Sequence, residues 1–205
     1  MADGSSTVKR GRKFDQVLEG ARKIFMSDGF EGASVDDIAR SAGVSKATLY
    51  SYFPDKRMLF MEVARTECVR QAEQAVERID MSMPVKAVLT EAAWQIVNFV
   101  TSDFGQRVFR LCVAESDRFP ELGREFYQSG PANVRARLIE FMNVGIARGE
   151  LRIDDLPLAA DQFNELCKAD LFPRLVFSME KSFDEAQKKR IVDGAVLTFL
   201  ARYAS

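Results

Sequence analysis

Lys46, Ala47 and Tyr50 stand at i, i+1 and i+4 and share one face of a short helical stretch. All three can meet the edge of a DNA base pair. An ammonium donates to guanine O6 or N7, a methyl packs on the thymine methyl, and a tyrosine face packs on sugars or methyls. The hydroxyls of Thr48 and Tyr52 and the cation of Lys56 suit phosphate oxygens. Half-buried packing is the alternative for Tyr50 and Tyr52, and a solvated helix position is the alternative for Lys56. Other chemistry is poorly supplied. The chain has no histidine, which removes Ser-His and Cys-His nucleophile pairs, His-ligated zinc and the commonest general acid and base. Glu115 and Asp117 point to different helix faces at i and i+2, and no nucleophile or metal set accompanies them. No catalytic site, metal or cofactor is therefore expected. Cys68, Cys112 and Cys167 are odd in number, widely spaced and set in apolar helical patterns, so they read as reduced core thiols.

The candidate base-reading residues need elements that hold them out from the surface. Phe14, Val17, Leu18, Ala21, Ile24 and Phe25 follow the spacing of an amphipathic helix, which Gly29 ends. Ser34 has the spacing of an N-cap before Asp37, and Val35, Ile38, Ala39 and Ala42 give a second short helix one apolar stripe, up to Gly43. Ser45 caps a third, Lys46 to Phe53, whose Leu49 and Phe53 turn inward with Val44. Two short helices joined by a tight glycine turn, the second with a polar and aromatic face, are the sequence form of a helix-turn-helix that enters the major groove. Asp36 departs from this logic, because an acid on the DNA-proximal edge of the second helix is repelled by phosphate; service to the helix dipole is its other reading.

The run from Ser34 to Phe53, S-V-D-D-I-A-R-S-A-G-V-S-K-A-T-L-Y-S-Y-F, followed by Lys56 and Leu59, closely resembles the DNA-binding signature of the TetR family. The likeness covers about Phe14 to Leu59 in detail. It extends more loosely to Ala114-Glu115, to Arg118-Phe119-Pro120-Glu121-Leu122 and to Gly149-Glu150-Leu151, which look like the C-terminal domain of AefR-like members. The resemblance implies that Ser34, Ser45, Lys46, Ala47, Thr48, Tyr50, Tyr52 and Lys56 form the DNA-binding set. Within it Lys46, Ala47 and Tyr50 approach base edges, and Thr48, Tyr52 and Lys56 hold phosphates.

An all-α protein follows, with three parts: a basic arm over 1–12, a three-helix helix-turn-helix domain over 13–58, and a larger helical ligand-binding and dimerisation domain over 59–205. Net charge is −1, yet the chain through Arg57 carries ten Lys and Arg against eight Asp and Glu, so the remainder is −3. Lys9, Arg10, Arg12 and Lys13 make the one dense basic cluster, placed to lie against phosphates or in a minor groove, or else simply to solvate the tail. No apolar run approaches the roughly 18 residues of a membrane span, and the arm lacks a signal-peptide core, so the expected compartment is the cytoplasm.

Beyond the reading head the helical periodicity predicts Met58 to Ile79, Val85 to Thr101, Gly105 to Asp117, Ala132 to Arg148, Leu156 to Met179 with a kink at Pro173, and Ala186 to Tyr203 after an Ser182 to Glu185 capping box. One reading head makes too few contacts for tight operator binding, so a homodimer on double-stranded operator DNA is expected. The last helices carry Leu166, Leu171, Leu175, Val196, Phe199 and Leu200, which are candidates for its interface, as the resemblance also implies; ordinary core packing is the alternative. Trp94, Phe99, Phe109, Cys112, Phe126, Phe163 and Cys167 are candidates to line an apolar pocket for a lipophilic or aromatic inducer, or again plain core. Control by a protein partner or by cysteine oxidation is the competing reading, and an enzyme using the helical cavity a more distant one.

Overall fold

The computed structural model describes residues 11–205, and over 71–78 the backbone alone. Its described residues form two compact units, the first ending at Glu67 and the second running from Cys68 to Ser205. The first unit holds α1 (Arg12–Gly32), α2 (Val35–Ala42), α3 (Lys46–Tyr52) and the start of α4 (Lys56–Arg78). Phe14, Val17, Ala21 and Phe25 bury the inner stripe of α1, as their three-and-four spacing dictates. At Gly29 the backbone leaves helical geometry (φ 73°, ψ −177°) and one further turn reaches Gly32. Gly43 sits in the left-handed region (φ 65°, ψ 34°), so the chain turns sharply between α2 and α3. Gly20 marks a different constraint: a Cβ there would lie 2.6 Å from the Cα, Cβ and N of Ala42. Helices α1 and α2 therefore meet backbone to backbone.

The unit extends past the expected boundary at residue 58. Leu59, Phe60 and Val63 of α4 are buried, and the Phe60 ring lies 4.9 Å from Phe25 and 5.4 Å from Phe30, both edge to face. The first turns of α4 thus complete the core under α1.

The second unit contains the rest of α4 and α5 (Val85–Thr101), α6 (Asp103–Glu115), α7 (Pro120–Ser129), α8 (Pro131–Ala147), α9 (Leu156–Leu166), α10 (Leu171–Val176) and α11 (Glu185–Tyr203). Helix α5 is its axis: Val88, Leu89, Ala92, Ala93, Ile96 and Val97 are buried, with α11 and α8 packed against it. Three expectations are corrected. Helix α7 was not among the predicted elements, although Pro120 at its start and Glu121 in its first turn are ordinary helix-start signals. The stretch 156–179 is two helices. Pro173 has no N–H to donate to the carbonyl of Ala169 four residues back, and its ring crowds that oxygen, so the break falls before it, at Cys167–Asp170, where Asp170 takes φ 63° and the Ala169 carbonyl accepts from Leu171 N instead. The capping box before α11 is built two residues later than expected, by Asp184 and Gln187, which exchange bonds of 2.8 and 3.0 Å.

One helix start depends on a distant group. Pro84 has no side chain that can cap α5, and the amide of Val85 donates instead to Glu150 Oε2 at 2.7 Å, 65 residues downstream. Arg148 meanwhile donates to the Met83 carbonyl at 3.0 Å. Gly149-Glu150-Leu151 therefore has a mechanical role, as the cap of the axial helix. Glu150→Ala is expected to cost about 1 kcal/mol of stability, within the range of lost N-caps. Urea unfolding of the variant beside wild type measures this, and an unchanged midpoint would refute the role.

Candidate nucleic-acid interface and the adjoining helical domain

The reading head is held at both helix starts by serine. Ser34 Oγ accepts from Asp37 N at 3.1 Å and donates to its carboxylate at 2.5 Å; Ser45 Oγ accepts from Thr48 N at 3.1 Å and lies 2.9 Å from its hydroxyl. The Ser34 bond, and then Arg40 at 2.6 Å, hold the Asp37 carboxyl below its ordinary range. Ile38, Ala39 and Leu49 anchor the pair to the core. Lys46, Ala47 and Tyr50 are all exposed, so the three residues expected to meet bases stand on the outer face of α3.

The backing residues divide differently from expectation. Thr48 is half-buried at the Ser45 cap, and Tyr52 is half-buried with its ring edge to face with Phe14 at 5.7 Å. Lys56 is committed inward: Nζ donates to the carbonyls of Phe30 at 2.8 Å and Ala33 at 3.1 Å, and lies 4.4 Å from the centre of the Phe30 ring. Its ammonium satisfies the frayed end of α1, which corrects the expectation of a side chain free for phosphate. Lys9 and Arg10 lie outside the described residues. Arg12 and Lys13 belong to the first turn of α1 and not to an arm, because Phe14 N closes on Gly11 O at 2.8 Å and starts the helix there. Two cations at a helix N-terminus oppose its dipole, and a polyanion beside them would reverse that sign.

Residues 17–63 match the bacterial regulatory proteins of the tetR family, and residues 87–205 match the C-terminal domain of AefR-like transcriptional repressors. The chain belongs to the TetR family. By that family it is a DNA-binding transcriptional repressor with an N-terminal helix-turn-helix. The chain is 35% identical over 72 residues to the repressor AcnR of Corynebacterium diphtheriae, which is 35% of this chain but only 38% of AcnR. It is 34% identical to the flavonoid-responsive regulator FrrA, with a TM-score of 0.70, over 95% of this chain and 98% of FrrA. A structure from Mesorhizobium loti MAFF303099, assigned to the TetR family, is 25% identical with a TM-score of 0.78, over 97% of this chain and all of that one.

This TetR-family chain has a cavity of about 220 Å³ within its second unit. Phe99, Phe109 and Phe126 line it, with Ile96, Val100, Val134 and Phe172; Phe109 stands edge to face with Phe126 at 6.3 Å and with Phe172 at 4.9 Å. Trp94, Cys112, Phe163 and Cys167 do not line it. Phe163 and Cys167 are wholly buried in the core, Phe163 against the Phe199 ring at 5.1 Å. The reason is angular: at the end of α9 and in the turn that follows it, the apolar pair Phe163 and Cys167 turns to the core, while Asn164 and Lys168, one position on, face the cavity. Polar residues at i and i+4 beside an apolar pair are the sequence signal that marks these two. Asn133, Ser129, Gln95 and Cys68 complete the lining groups that carry polar atoms or sulfur. Among the described residues no group of His, Cys, Asp and Glu is arranged to hold a metal, and no helix is long and apolar enough to cross a membrane.

Burial pushes the Cys112 and Cys167 thiols up to about 12, which leaves little thiolate for oxidation chemistry. Iodoacetamide at pH 7.5 is expected to leave both unmodified in the native protein and to label both in guanidinium, as read by peptide mass. Native labelling of either would show that burial does not protect that thiol.

The expected dimer residues also need correction. Leu171, Leu175, Val196 and Phe199 are buried in this chain's own core, and Leu166 and Leu200 are half-buried against it. From α9 onward the apolar groups left outside are others: Phe177 is 76% exposed, Met179 71%, Leu197 59% and Leu158 51%. On α11 the buried stripe of Ile191, Val192, Ala195, Val196 and Phe199 leaves Gly194, Leu197, Thr198 and Ala201 on the open face.

Proposed function

We propose that this chain acts in the cytoplasm as a homodimer that represses transcription from a near-palindromic operator, and that a small neutral aromatic compound releases it. The outward face of Lys46, Ala47 and Tyr50, held by two serine caps, carries the DNA reading. The dimer rests on the open face of α11. A glycine inside a helix is destabilising by roughly 1 kcal/mol against alanine, yet a Cβ at Gly194 would meet nothing in this chain. Close approach of a second α11 gives that glycine a purpose.

The ligand class follows from the cavity. Its volume of about 220 Å³ is smaller than the ~300–1,000 Å³ usual for ligand sites, which favours a compact molecule over a long acyl chain. Lys168 is the one charged lining residue, and Glu165 already neutralises it at 2.6 Å. The amides of Asn133 and Asn164 have no hydrogen-bond partner among the described residues, so they can meet hydroxyl or carbonyl groups. FrrA's flavonoid response fits that description. Release requires that the ligand bind one separation of the two reading heads better than another, with α4, which passes from one unit into the other, as the lever. Operator must then weaken ligand by the factor by which ligand weakens operator.

The test is selection of random duplex DNA by the purified protein, followed by titration of the operator complex with naringenin and with palmitate. A two-fold symmetric site released by naringenin and not by palmitate is the expected result. No enriched site defeats the DNA reading; an enriched site released by palmitate alone defeats the ligand class.

A further inference from the structure

Asp36 occupies the first turn of α2, but the work of that turn is done by Asp37, which takes the Ser34 cap and the Arg40 ion pair. The Asp36 carboxylate instead reaches across to α3, where Oδ1 lies 2.6 Å from Nζ of Lys46. Its partner is the one cation on the outer face of the recognition helix. Both side chains are more than half exposed, so the pair adds little to the stability of the fold. An acid on a DNA-facing edge whose ion pair adds little to the fold is placed to act on the DNA.

We propose that Asp36 is a specificity-setting residue: it holds the Lys46 ammonium over α3 and makes that cation unavailable to backbone phosphates, so that only a well-placed pair of base acceptors recruits it. The inference rests on the DNA-reading assignment made above. The effect runs through the lysine: the carboxylate neutralises a cation that would otherwise add one ionic contact to any duplex. Guanine O6 and N7 offer two acceptors without a net charge, so the Lys46 contact with them is not opposed by Asp36. Discrimination here comes from a repulsive element set against the wrong target, as much as from attraction to the right one. The carboxylate also raises the Lys46 ammonium above its ordinary pKa, so the group stays a cation throughout.

The full-length Asp36→Asn protein tests this, by titration against the selected operator and against a scrambled duplex across a range of salt. Affinity for scrambled DNA is expected to rise about fivefold, the ratio for one unit charge interaction at contact distance in water. The slope of log affinity against log salt should steepen by about 0.9, as one more phosphate is neutralised. Operator affinity should change less, so the specificity ratio falls. Asp36→Glu should restore the ratio, and in a Lys46→Gln background Asp36→Asn should no longer steepen the slope. An unchanged ratio and slope in Asp36→Asn would overturn the proposal, as would a steeper slope that persists without Lys46. A wild-type protein that selects no site would instead remove the DNA reading beneath it.

Discussion

Gly20→Ala is expected to abolish operator binding while leaving the second unit folded. A Cβ at Gly20 meets backbone and side chain of Ala42 at 2.6 Å, and Ala42 lies in the last turn of α2, immediately before the turn into the recognition helix. Alanine gains up to about 1 kcal/mol in helix propensity over glycine. Overpacking of this kind costs about 1–3 kcal/mol, more where the obstructing atoms are backbone, and so strain prevails. The helices must separate or shear, which tilts α3. Thermal unfolding and limited proteolysis read the outcome: residues up to Glu67 should be cut at temperatures where 68–205 resists, and operator affinity should fall to the level of scrambled DNA. Wild-type melting with full operator affinity would show that α1 and α2 are not locked at this point.

Leu197→Lys is expected to give a folded monomer with operator affinity reduced about a thousandfold or more, the lower end of the gap between specific and non-specific binding. Leu197 is 59% exposed, so a lysine there leaves the core of its own chain undisturbed. Across a two-fold axis the same substitution places two ammonium groups at one apolar contact, and each must be desolvated without a partner. Light scattering after size exclusion gives the mass, and circular dichroism verifies the helices. A Leu197→Lys protein that remains dimeric would move the interface elsewhere, with exposed Phe177 and Met179 the next surface to vary.

What the sequence revealed and concealed follows from the range of the forces involved. Ser34, Ser45 and Gly43 were legible because a cap or a tight turn is set by residues within four positions of one another. The outward face of α3 was legible for the same reason: Leu49 alone fixes which side is inside. Lys56 was not, since its partners are carbonyls 26 and 23 residues away. Nor was Asp36, whose lysine lies on a different helix. Leu171, Leu175, Val196 and Phe199 were read as interface because apolar spacing marks a buried face without saying what buries it; their own chain does so. The cavity was half legible. Aromatic rings announced Phe99, Phe109 and Phe126, but the amides of Asn133 and Asn164 and the ring of Phe172 come together only through the packing of α8, α9 and α10.

The distant cap on α5 sets an order of assembly. Contacts of the first unit close within the first 67 residues, so this part can fold as soon as that length has left the ribosome. The axial helix of the second unit begins at Val85, yet its first amide waits for Glu150 and its buried face for α11. Residues 150–152 in turn bond to the chain end, with Arg152 N on Tyr203 O at 2.9 Å and Ser205 N on Glu150 O at 3.2 Å. Closing such sequence-distant contacts is slow compared with local helix formation. During synthesis, then, the first unit can close before the second. On the proposed function, newly made chains then pass through a stage in which a single reading head can touch DNA weakly before the second unit has closed.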